Sequence, residues 1–415
     1  MNILQISTYD NLGGAAHVAF RLHQSYKAMG LGSRMIVRQQ ITRDNQVFSS
    51  CGDGMIKWIE KSVTRLERSF GWQGVLYPST FLLPFRRHYK WADVLHVHNL
   101  HGEYFNLFAL PLLSLDKPVI WTLHDMWAIT GHCSHSFDCE RWKTGCGNCP
   151  YLSALPAVTR DSTHLMYKIK KKVLTRSNIS LVAPSQWLKA KLDASLITTS
   201  CACYLIPNGV DINVFIPHSK SLLRQLYSIP LGRPVIALTV PAAKDSKTKG
   251  LEKLMEVMEQ ISRSEARPVF LVFGETNSLE KYHNRFQIIE YGWVQDERLM
   301  AQIMGAADLY LMTSSAENAP LSIIESMACG TPVAAFDIGG IAEIVRPPKA
   351  GFLASPGDHK GLAQIVFDLI SSFGLRETMG FQAREIAVND YSLELQAGRY
   401  RALYEQEKEK YCIKR

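Results

Sequence analysis

The sequence predicts an α/β fold made of two doubly wound, Rossmann-like domains. Short apolar runs such as Ile3–Ile6 and Val119–Leu123 are typical of strands buried in a parallel sheet. They alternate with segments in which apolar residues recur at helical spacing, and a second unit of this kind begins at Pro234. A chain of 415 residues is too long for one hydrophobic core. Together these observations favour two domains, each built on its own parallel sheet.

The first predicted strand leads into a loop that contains glycine. Ile3–Ile6 is followed by Gly13 and Gly14, and a helical pattern then runs from Val18 to Gly30. The loop lacks the Gly-x-Gly-x-x-Gly arrangement, so a nicotinamide-dependent enzyme is not expected. The two glycines would let backbone amides approach a phosphate closely, but a plain tight turn has the same composition.

Polar residues end two of the predicted strands. His98 and Asn99 follow one apolar run, and His124 and Asp125 follow another. In open α/β sheets the carboxyl ends of the strands face the ligand crevice. We therefore expect these four residues at the ligand crevice, although a single histidine is more often structural than catalytic.

Four cysteines lie close together in an insert that covers residues 131–150. They are spaced C-x5-C-x6-C-x2-C, at Cys133, Cys139, Cys146 and Cys149. Such a cluster fits a tetrahedral thiolate site, with His132 and His135 as spare ligands. The pattern predicts a structural zinc, and free thiols or a redox pair are the alternatives.

Lysines are frequent in the loop after the strand that starts at Pro234. Lys244, Lys247 and Lys249 lie within a few positions of one another. Cations at this place could neutralise a leaving diphosphate. The alternative is a solvated loop.

The chain is organised around residues 315–344, which hold two glutamates eight positions apart. Glu317 lies in a predicted loop, and Glu325 lies in a short predicted helix between Pro320 and Gly330. The helix N-terminus could hold an anion, and Glu325 could accept two hydrogen bonds from ribose hydroxyls. Glu317 could bind the hydroxyls of a second ring. For the spacing alone, the alternative is an amphipathic helix with two ordinary surface glutamates.

The residues around the two glutamates resemble a known family. Glu317 and Glu325, with Ser326–Val333 and Asp337–Val345, resemble the donor site of the large retaining family 4 group of GT-B glycosyltransferases. The resemblance is strongest to bacterial enzymes that build exopolysaccharides, including enzymes of the colanic-acid type. Thr122–Trp127 is similar to the segment with the family's cleft histidine, and Leu205–Pro217 is similar to its interdomain linker.

The resemblance implies a GT-B architecture, with two domains that face each other across a cleft. Residues 1–205 would form the acceptor-binding domain, with His98, Asn99 and Asp125 on the acceptor side and the cysteine insert shaping the acceptor pocket. Residues 206–390 would form the donor-binding domain. A C-terminal helix, within residues 391–415, would cross back to the first domain.

The resemblance also implies the residues that act. Catalysis is expected of His124, Glu317 and Lys249. The donor would be bound by Gly13, Gly14, Lys244, Lys249, Val294, Glu317, Asn318, Ala319, Pro320, Leu321 and Glu325. Lys249 and the glycine after it match the family pattern, but Lys244 stands where the family usually has an arginine.

The implied reaction moves a sugar, with retention, from a nucleotide-diphosphate sugar to a lipid-linked oligosaccharide in surface polysaccharide synthesis. The sequence contains no Asp-x-Asp motif, so no catalytic metal or other cofactor is expected. Two alternatives are a GT-B-fold epimerase or phosphorylase and a non-catalytic scaffold that binds a nucleotide sugar.

Charge suggests where such an enzyme would work. Residues 1–205 contain 23 lysines and arginines against 13 acidic residues, whereas residues 206–415 carry a net charge of −2. The basic half suggests anionic lipid or a phosphate-bearing substrate as a partner, and Phe81–Trp91 and Lys168–Lys172 fit a lipid-facing surface. The alternatives are a buried helix flanked by a basic turn for the first segment, a solvated helix face for the second, and charges that only keep the protein soluble. No nucleic-acid-binding motif is present. With no signal peptide and an odd count of nine cysteines, we expect a cytoplasmic protein bound peripherally to the inner face of the cell membrane.

Overall fold

The computed structural model describes residues 1–50, 55–240, 250–263, 265, 267–275 and 277–413. The chain forms two units. Unit 1 comprises Met1–Pro207 and Gln396–Arg415, and unit 2 comprises Asn208–Leu395.

Unit 1 is built on a seven-stranded sheet in which all neighbouring strands are parallel. The strands are β1 (Asn2–Tyr9), β2 (Gly32–Gln39), β3 (Val47–Ser49), β4 (Val94–Val97), β5 (Val119–Thr122), β6 (Ile179–Ala183) and β7 (Ala202–Leu205). The helices are α1 (Gly14–Ala28), α2 (Met55–Phe70), α3 (Arg87–Trp91), α4 (Ala109–Asp116), α5 (Thr163–Thr175) and α6 (Gln186–Ala194). Short 3-10 helices cover Pro78–Phe85, Trp127–Ile129 and Arg141–Lys143.

The strand order of unit 1 is β3-β2-β1-β4-β5-β6-β7. Ile3 of β1 pairs with Ser33 on one side and with Val94 on the other. Strands β2 and β3 are thus added on one side of β1, and strands β4 to β7 are added on its other side. The boundary between β1 and β4 is the topological switch point, where doubly wound folds bind their ligands.

Unit 2 repeats this plan with a six-stranded parallel sheet. Its strands are β8 (Val235–Val240), β9 (Val269–Gly274), β10 (Gln287–Gly292), β11 (Leu309–Met312), β12 (Val333–Phe336) and β13 (Gly351–Ala354). Its helices are α7 (Lys220–Leu226), α8 (Leu251–Ser262), α9 (Glu297–Ala306), α10 (Leu321–Ala328), α11 (Ile341–Val345), α12 (His359–Ser371) and α13 (Phe373–Asp390), and a 3-10 helix covers Asn277–Tyr282. The order β10-β9-β8-β11-β12-β13 places the switch point between β8 and β11.

The last helix, α14 (Leu393–Ile413), is attached to the sheet of unit 1 from Gln396 onward. Its Tyr404 is hydrogen-bonded to His96 of β4 at 2.6 Å and to Tyr26 of α1 at 2.8 Å. Tyr400 is hydrogen-bonded to Thr122 of β5 at 2.6 Å. These buried polar contacts fix the helix against the strands.

Both sheets have the apolar strands that the sequence predicts. All four residues of β4, β5, β11 and β12 are buried, because helices cover both faces of each sheet. The prediction of two Rossmann-like α/β domains is confirmed. Within the described residues, no helix is long and apolar enough to span a membrane.

Candidate active site

The two glutamates of unit 2 lie next to its switch point. The segment Thr313–Pro320 follows β11, a strand at that switch point, and leads directly into α10. Glu317 is 7% exposed and Glu325 is 8% exposed. Charged side chains are rarely so buried without a partner or a role, so the surface interpretation of the two glutamates is wrong.

Glu317 is held by its own loop and by a glycine turn. Its Oε1 accepts a hydrogen bond from Ser314 Oγ at 2.8 Å. Gly339 follows β12 with φ of +57°, and a Cβ at this position would overlap the Glu317 carbonyl oxygen. The next amide, from Gly340, donates to the Asn318 carbonyl at 2.9 Å. Only glycine permits this close approach of the two backbones.

Two further contacts fix the ends of the loop. Asn208 Nδ2 donates to the Ala319 carbonyl at 3.1 Å. Thr313 Oγ1 donates to the Gly250 carbonyl at 3.2 Å, and Gly250 has a φ of +71° where it precedes α8. The loop is therefore preorganised before any ligand binds.

Glu325 and Glu317 both influence the pKa of one tyrosine, Tyr310. Tyr310 of β11 is buried, and its hydroxyl lies 3.1 Å from Thr239 Oγ1. Burial raises the pKa of Tyr310 to about 12, and the negative charges of Glu325 and Glu317 contribute to the rise. The two carboxylates thus lie in one region beside β11.

The other predicted donor residues are placed less uniformly. Pro320 precedes α10, and Leu321 begins it, as predicted. Val294 follows β10, which is separated from β8 by β9, and packs against the core of unit 2. Lys244, Lys247 and Lys249 lie outside the described residues.

In unit 1 the glycine loop after β1 is open. Gly13 has a φ of +85° and precedes α1, which begins at Gly14. A Cβ built on either glycine would have no described atom within 4 Å. This geometry leaves space for a ligand beside the first turn of α1, although it does not require one.

A chain of side chains links the predicted histidines of unit 1. His98 Nδ1 lies 3.0 Å from His124 Nε2, and His98 Nε2 lies 2.9 Å from Gln5 Oε1. Since the Gln5 oxygen accepts from His98 Nε2–H, His98 Nδ1 accepts from His124 Nε2–H. His98 is fully buried, so it cannot line a ligand crevice, contrary to the expectation from the sequence. It contacts His124 from beneath the surface instead. His124 and Asn99 are partly exposed.

Asp125 holds a second histidine. Its Oδ2 lies 2.9 Å from His101 Nε2, and its Oδ1 accepts from the Trp127 amide at 2.8 Å. Burial by itself would raise the pKa of Asp125, but His101 and the amide outweigh it and lower that pKa. Burial lowers the pKa of His124 to about 4, so this imidazole is neutral at pH 7. Unit 1 thus presents a neutral histidine beside a carboxylate.

The cysteine insert does not support the predicted zinc. Cys133, Cys139, Cys146, Cys149 and His132 line one small cavity of about 20 Å³. Among the described residues, however, no group of three or more His, Cys, Asp or Glu side chains is arranged to hold a metal ion. Burial raises the pKa of Cys133 to about 12 and that of Cys146 to about 11. In this structure the cysteines are free and help to fill the insert.

Several residues of these two regions were not identified from the sequence. Gln5, His101, Ser314 and Asn208 each hold a predicted site residue or its backbone. A polar Gln5 inside the apolar run Ile3–Ile6 was a usable signal, because a buried amide needs a partner. Ser314 and His101 gave no such signal.

Two family models match the chain. Residues 12–214 match the model described as "Glycosyltransferase Family 4", and residues 233–386 match "Glycosyl transferases group 1". Together the two matches cover more than half of the chain.

Individual proteins show the same relationship. The "Putative colanic acid biosynthesis glycosyl transferase WcaC" of Escherichia coli (strain K12) is 27% identical over 369 residues, which are 83% of this chain and 85% of that protein. The sulfoquinovosyl transferase SQD2 of Arabidopsis thaliana is 30% identical over 224 residues, 53% of this chain and 43% of that one.

Solved structures agree on the fold. Anabaena Alr3699/HepE in complex with UDP has a TM-score of 0.66 at 17% identity, covering 98% of this chain and 100% of that one. Sucrose-phosphate synthase from Thermosynechococcus elongatus has a TM-score of 0.68 at 17% identity, covering 98% and 99%. With its two parallel-sheet domains and both family matches, the chain belongs to the GT-B glycosyltransferases of the family 4 and group 1 type.

Proposed function

We propose that this glycosyltransferase moves a sugar from a nucleotide-diphosphate sugar to a lipid-linked saccharide during synthesis of a bacterial surface polysaccharide. The observation that carries the proposal is the pair of nearly buried carboxylates, Glu317 and Glu325, beside the switch point of unit 2. Carboxylates in such a place bind polyols well, because each can accept hydrogen bonds from two hydroxyls.

In the proposed donor complex Glu325 accepts hydrogen bonds from the ribose, and Glu317 accepts them from the transferred sugar. The backbone of Asn318, Ala319 and Leu321 lies at the start of α10, and the positive end of the helix dipole favours the negative charge of a diphosphate there. Lys244 and Lys249 are proposed to balance the charge of the leaving diphosphate. The nucleotide donor is supported by Alr3699/HepE, which has been solved with UDP and with UDP-glucose.

The proposed reaction proceeds with retention and without a metal. The acceptor hydroxyl attacks the anomeric carbon on the face that the diphosphate leaves. The bond between the anomeric carbon and the diphosphate oxygen breaks, and the hydroxyl proton passes to the departing diphosphate. This assignment needs no enzymic nucleophile, and the sequence supplies no Asp-x-Asp motif for a metal-bound diphosphate. In this mechanism the protein accelerates the reaction mainly by stabilising the negative charge that develops on the leaving diphosphate.

His124 is the proposed substrate-binding histidine of unit 1. Its Nε2–H is used by His98, so Nδ1 keeps the lone pair of the ring. A neutral imidazole in this tautomer can accept a hydrogen bond from a sugar hydroxyl. Asp125 is the next residue in the chain, and Asn99 follows the neighbouring strand β4. We assign both residues to the acceptor side. A polysaccharide acceptor is supported by the name of the colanic acid relative.

We further propose that unit 1 binds an anionic membrane. In the segment Phe81–Trp91, Phe85 is strongly exposed and precedes Arg86 and Arg87 in the chain. In the second basic cluster Lys168, Lys171 and Lys172 are exposed, but Lys170 is not. Lys170 is buried and donates to the carbonyls of Trp127 and Thr130, at 2.6 and 3.0 Å. Only the three exposed lysines of that cluster are therefore available to lipid.

Labelled nucleotide sugars test the proposed reaction. The protein is incubated with a panel of them and with a membrane lipid extract, and the label is followed into the organic phase. We expect transfer with one donor and its loss in Glu317→Gln. Binding of a nucleotide sugar without any transfer would instead indicate a scaffold. Conversion of the free sugar nucleotide without lipid would indicate an epimerase.

A further inference from the structure

Helix α2 buries acidic side chains and exposes apolar ones, which is the reverse of the usual arrangement. A surface helix normally buries its apolar stripe and exposes its charges. Along α2, Glu60 and Glu67 are buried, whereas Met55 and Trp58 are 77% and 73% exposed. Ile59, Leu66 and Phe70 are exposed as well.

Polar contacts hold this helix to unit 1. Glu67 accepts hydrogen bonds from the backbone amides of Gly74, Val75 and Leu76, at 2.8, 2.6 and 2.6 Å. Thr64 Oγ1 lies 3.0 Å from the hydroxyl of Tyr77. Charge-assisted bonds of this kind are among the stronger ones in proteins. Phe70 also stacks on Trp72, with ring centres 4.9 Å apart, at the end of the helix. Met55, Trp58, Ile59 and Leu66 take no part in these contacts.

The exposed apolar residues form one stripe along α2, which also contains Ser62 and Ser69. With 100° of rotation per residue, five of them fall within about a third of the helix circumference. They are Met55, Trp58, Ile59, Leu66 and Phe70. A stripe of this size on a helix surface marks a binding site for an apolar partner.

Cations run beside the stripe. Lys57, Lys61, Arg65 and Arg68 are all exposed, and Lys61 Nζ lies 5.8 Å from the centre of the Trp58 ring. Arg68 also pairs with Glu103, so its charge is partly compensated. The only acidic residues of α2 are the two buried glutamates. What α2 presents to solvent is thus both apolar and positively charged.

We propose that this face of α2 binds the surface of an anionic phospholipid bilayer. The proposal rests on the membrane binding put forward above, and it names the surface responsible. The helix would lie in the plane of the interface, with its stripe among the upper acyl chains and its cations at the lipid phosphates. Trp58 suits this depth, because tryptophan prefers the boundary between headgroups and acyl chains.

A bilayer fits this face better than a second copy of the chain does. Each lysine or arginine near an anionic surface gains about 1 kcal/mol, and several aligned cations add. A second copy would bring the same four cations against one another across a symmetric contact. The charge pattern therefore selects a partner with negative charge spread over its surface.

Vesicle flotation of the full-length protein tests the proposal. Vesicles of phosphatidylcholine alone are compared with vesicles that contain phosphatidylglycerol as well, at low and high salt. The double variant Trp58→Ser/Ile59→Ser removes apolar contact, and Lys61→Gln/Arg65→Gln removes charge. Phe381→Ser is the matched control, because Phe381 is a 68% exposed aromatic residue on α13 of unit 2.

We expect wild-type protein and the Phe381→Ser control to float with anionic vesicles at low salt. Each α2 double variant should bind at least about tenfold more weakly, with an unchanged melting temperature. Binding by the α2 variants that equals that of the control would overturn this inference and leave the membrane proposal standing. Absence of wild-type binding would overturn both, and light scattering would then show whether α2 joins two copies. The labelled-sugar assay judges the transferase proposal independently of either outcome.

Discussion

The Glu317 loop of unit 2 (Thr313–Pro320) and the histidine cluster of unit 1 both follow strands at or next to the switch points of two similar sheets, but they are held in different ways. The loop around Glu317 is fixed mainly through the backbone, by the amide of Gly340 and by the close approach of Gly339. The cluster around His124 is fixed through side chains, by His98 and by Gln5.

This difference predicts different sensitivities. A site held by close backbone contacts fails when a small group is added at the contact. A site held by buried imidazoles fails when protons are added, because a buried histidine resists charging. The two units should therefore respond to different perturbations.

Acid should produce the largest difference between the units. Burial lowers the pKa of His96 to about 3 and those of His23 and His124 to about 4, and all three lie in unit 1. The three histidines of unit 2 are at least partly exposed. In the unfolded chain a histidine takes up a proton below about pH 6.5. The unfolded state then binds more protons than the folded state, so the stability of unit 1 is full above pH 6.5 and falls between pH 6.5 and 4.

Hydrogen exchange read by mass spectrometry can follow each unit separately. Between pH 7 and pH 5 we expect about 2 kcal/mol of lost protection per buried histidine in unit 1, after correction for intrinsic exchange. Peptides of unit 2 should change much less. His124→Gln should make the pH dependence of unit 1 shallower. Equal loss of protection in both units would contradict this account of the histidines.

A methyl group at Gly339 should produce the next largest effect. Gly339→Ala places a Cβ on the Glu317 carbonyl and forces a left-handed backbone on alanine. We expect the free energy of unfolding of unit 2 to fall by about 3 kcal/mol, and donor binding to weaken with it.

Gly374→Ala is the control for this substitution. Gly374 lies in the first turn of α13, and a Cβ there would have no described atom within 4 Å. Denaturant unfolding should show little change for this variant. If Gly339→Ala is equally harmless, the loop is not held by the glycine contact.

Asn208→Ala should have the smallest effect. It removes one hydrogen bond to the Ala319 carbonyl, which is worth about 1 kcal/mol. We expect a small loss of unit 2 stability and a severalfold weaker donor affinity in calorimetry. Asn284→Ala, at an exposed position in the same unit, is a suitable comparison. No change in affinity would show that the loop keeps its position without this bond.

The sequence predicted the backbone-held region better than the side-chain-held one. Pro320, Gly330 and Gly339 are close in the chain to Glu317 and Glu325, so most of the Glu317 loop can be predicted from a short stretch of sequence. The two sheets were predictable for a similar reason, because each buried strand is one short apolar run.

The remaining features depend on contacts between distant residues. Gln5 reaches His98 from another strand, 93 positions away. Lys170 belongs to a run of lysines, yet it is buried, because the carbonyls of Trp127 and Thr130 accept hydrogen bonds from its amino group. The pattern of α2 is that of an ordinary amphipathic helix, and only the fold shows which face is buried. No local pattern specifies such partners.

The central claim is that Glu325 binds the donor nucleotide, and titration calorimetry tests it most directly. Wild-type protein, Glu325→Ala and the exposed control Glu377→Ala are titrated with UDP, ADP and GDP. Hydrogen bonds to a charged acceptor are worth about 1.5–3 kcal/mol, so the dissociation constant of the preferred nucleotide should rise by about 10- to 150-fold in Glu325→Ala only. An unchanged dissociation constant in a folded Glu325→Ala protein would contradict the claim.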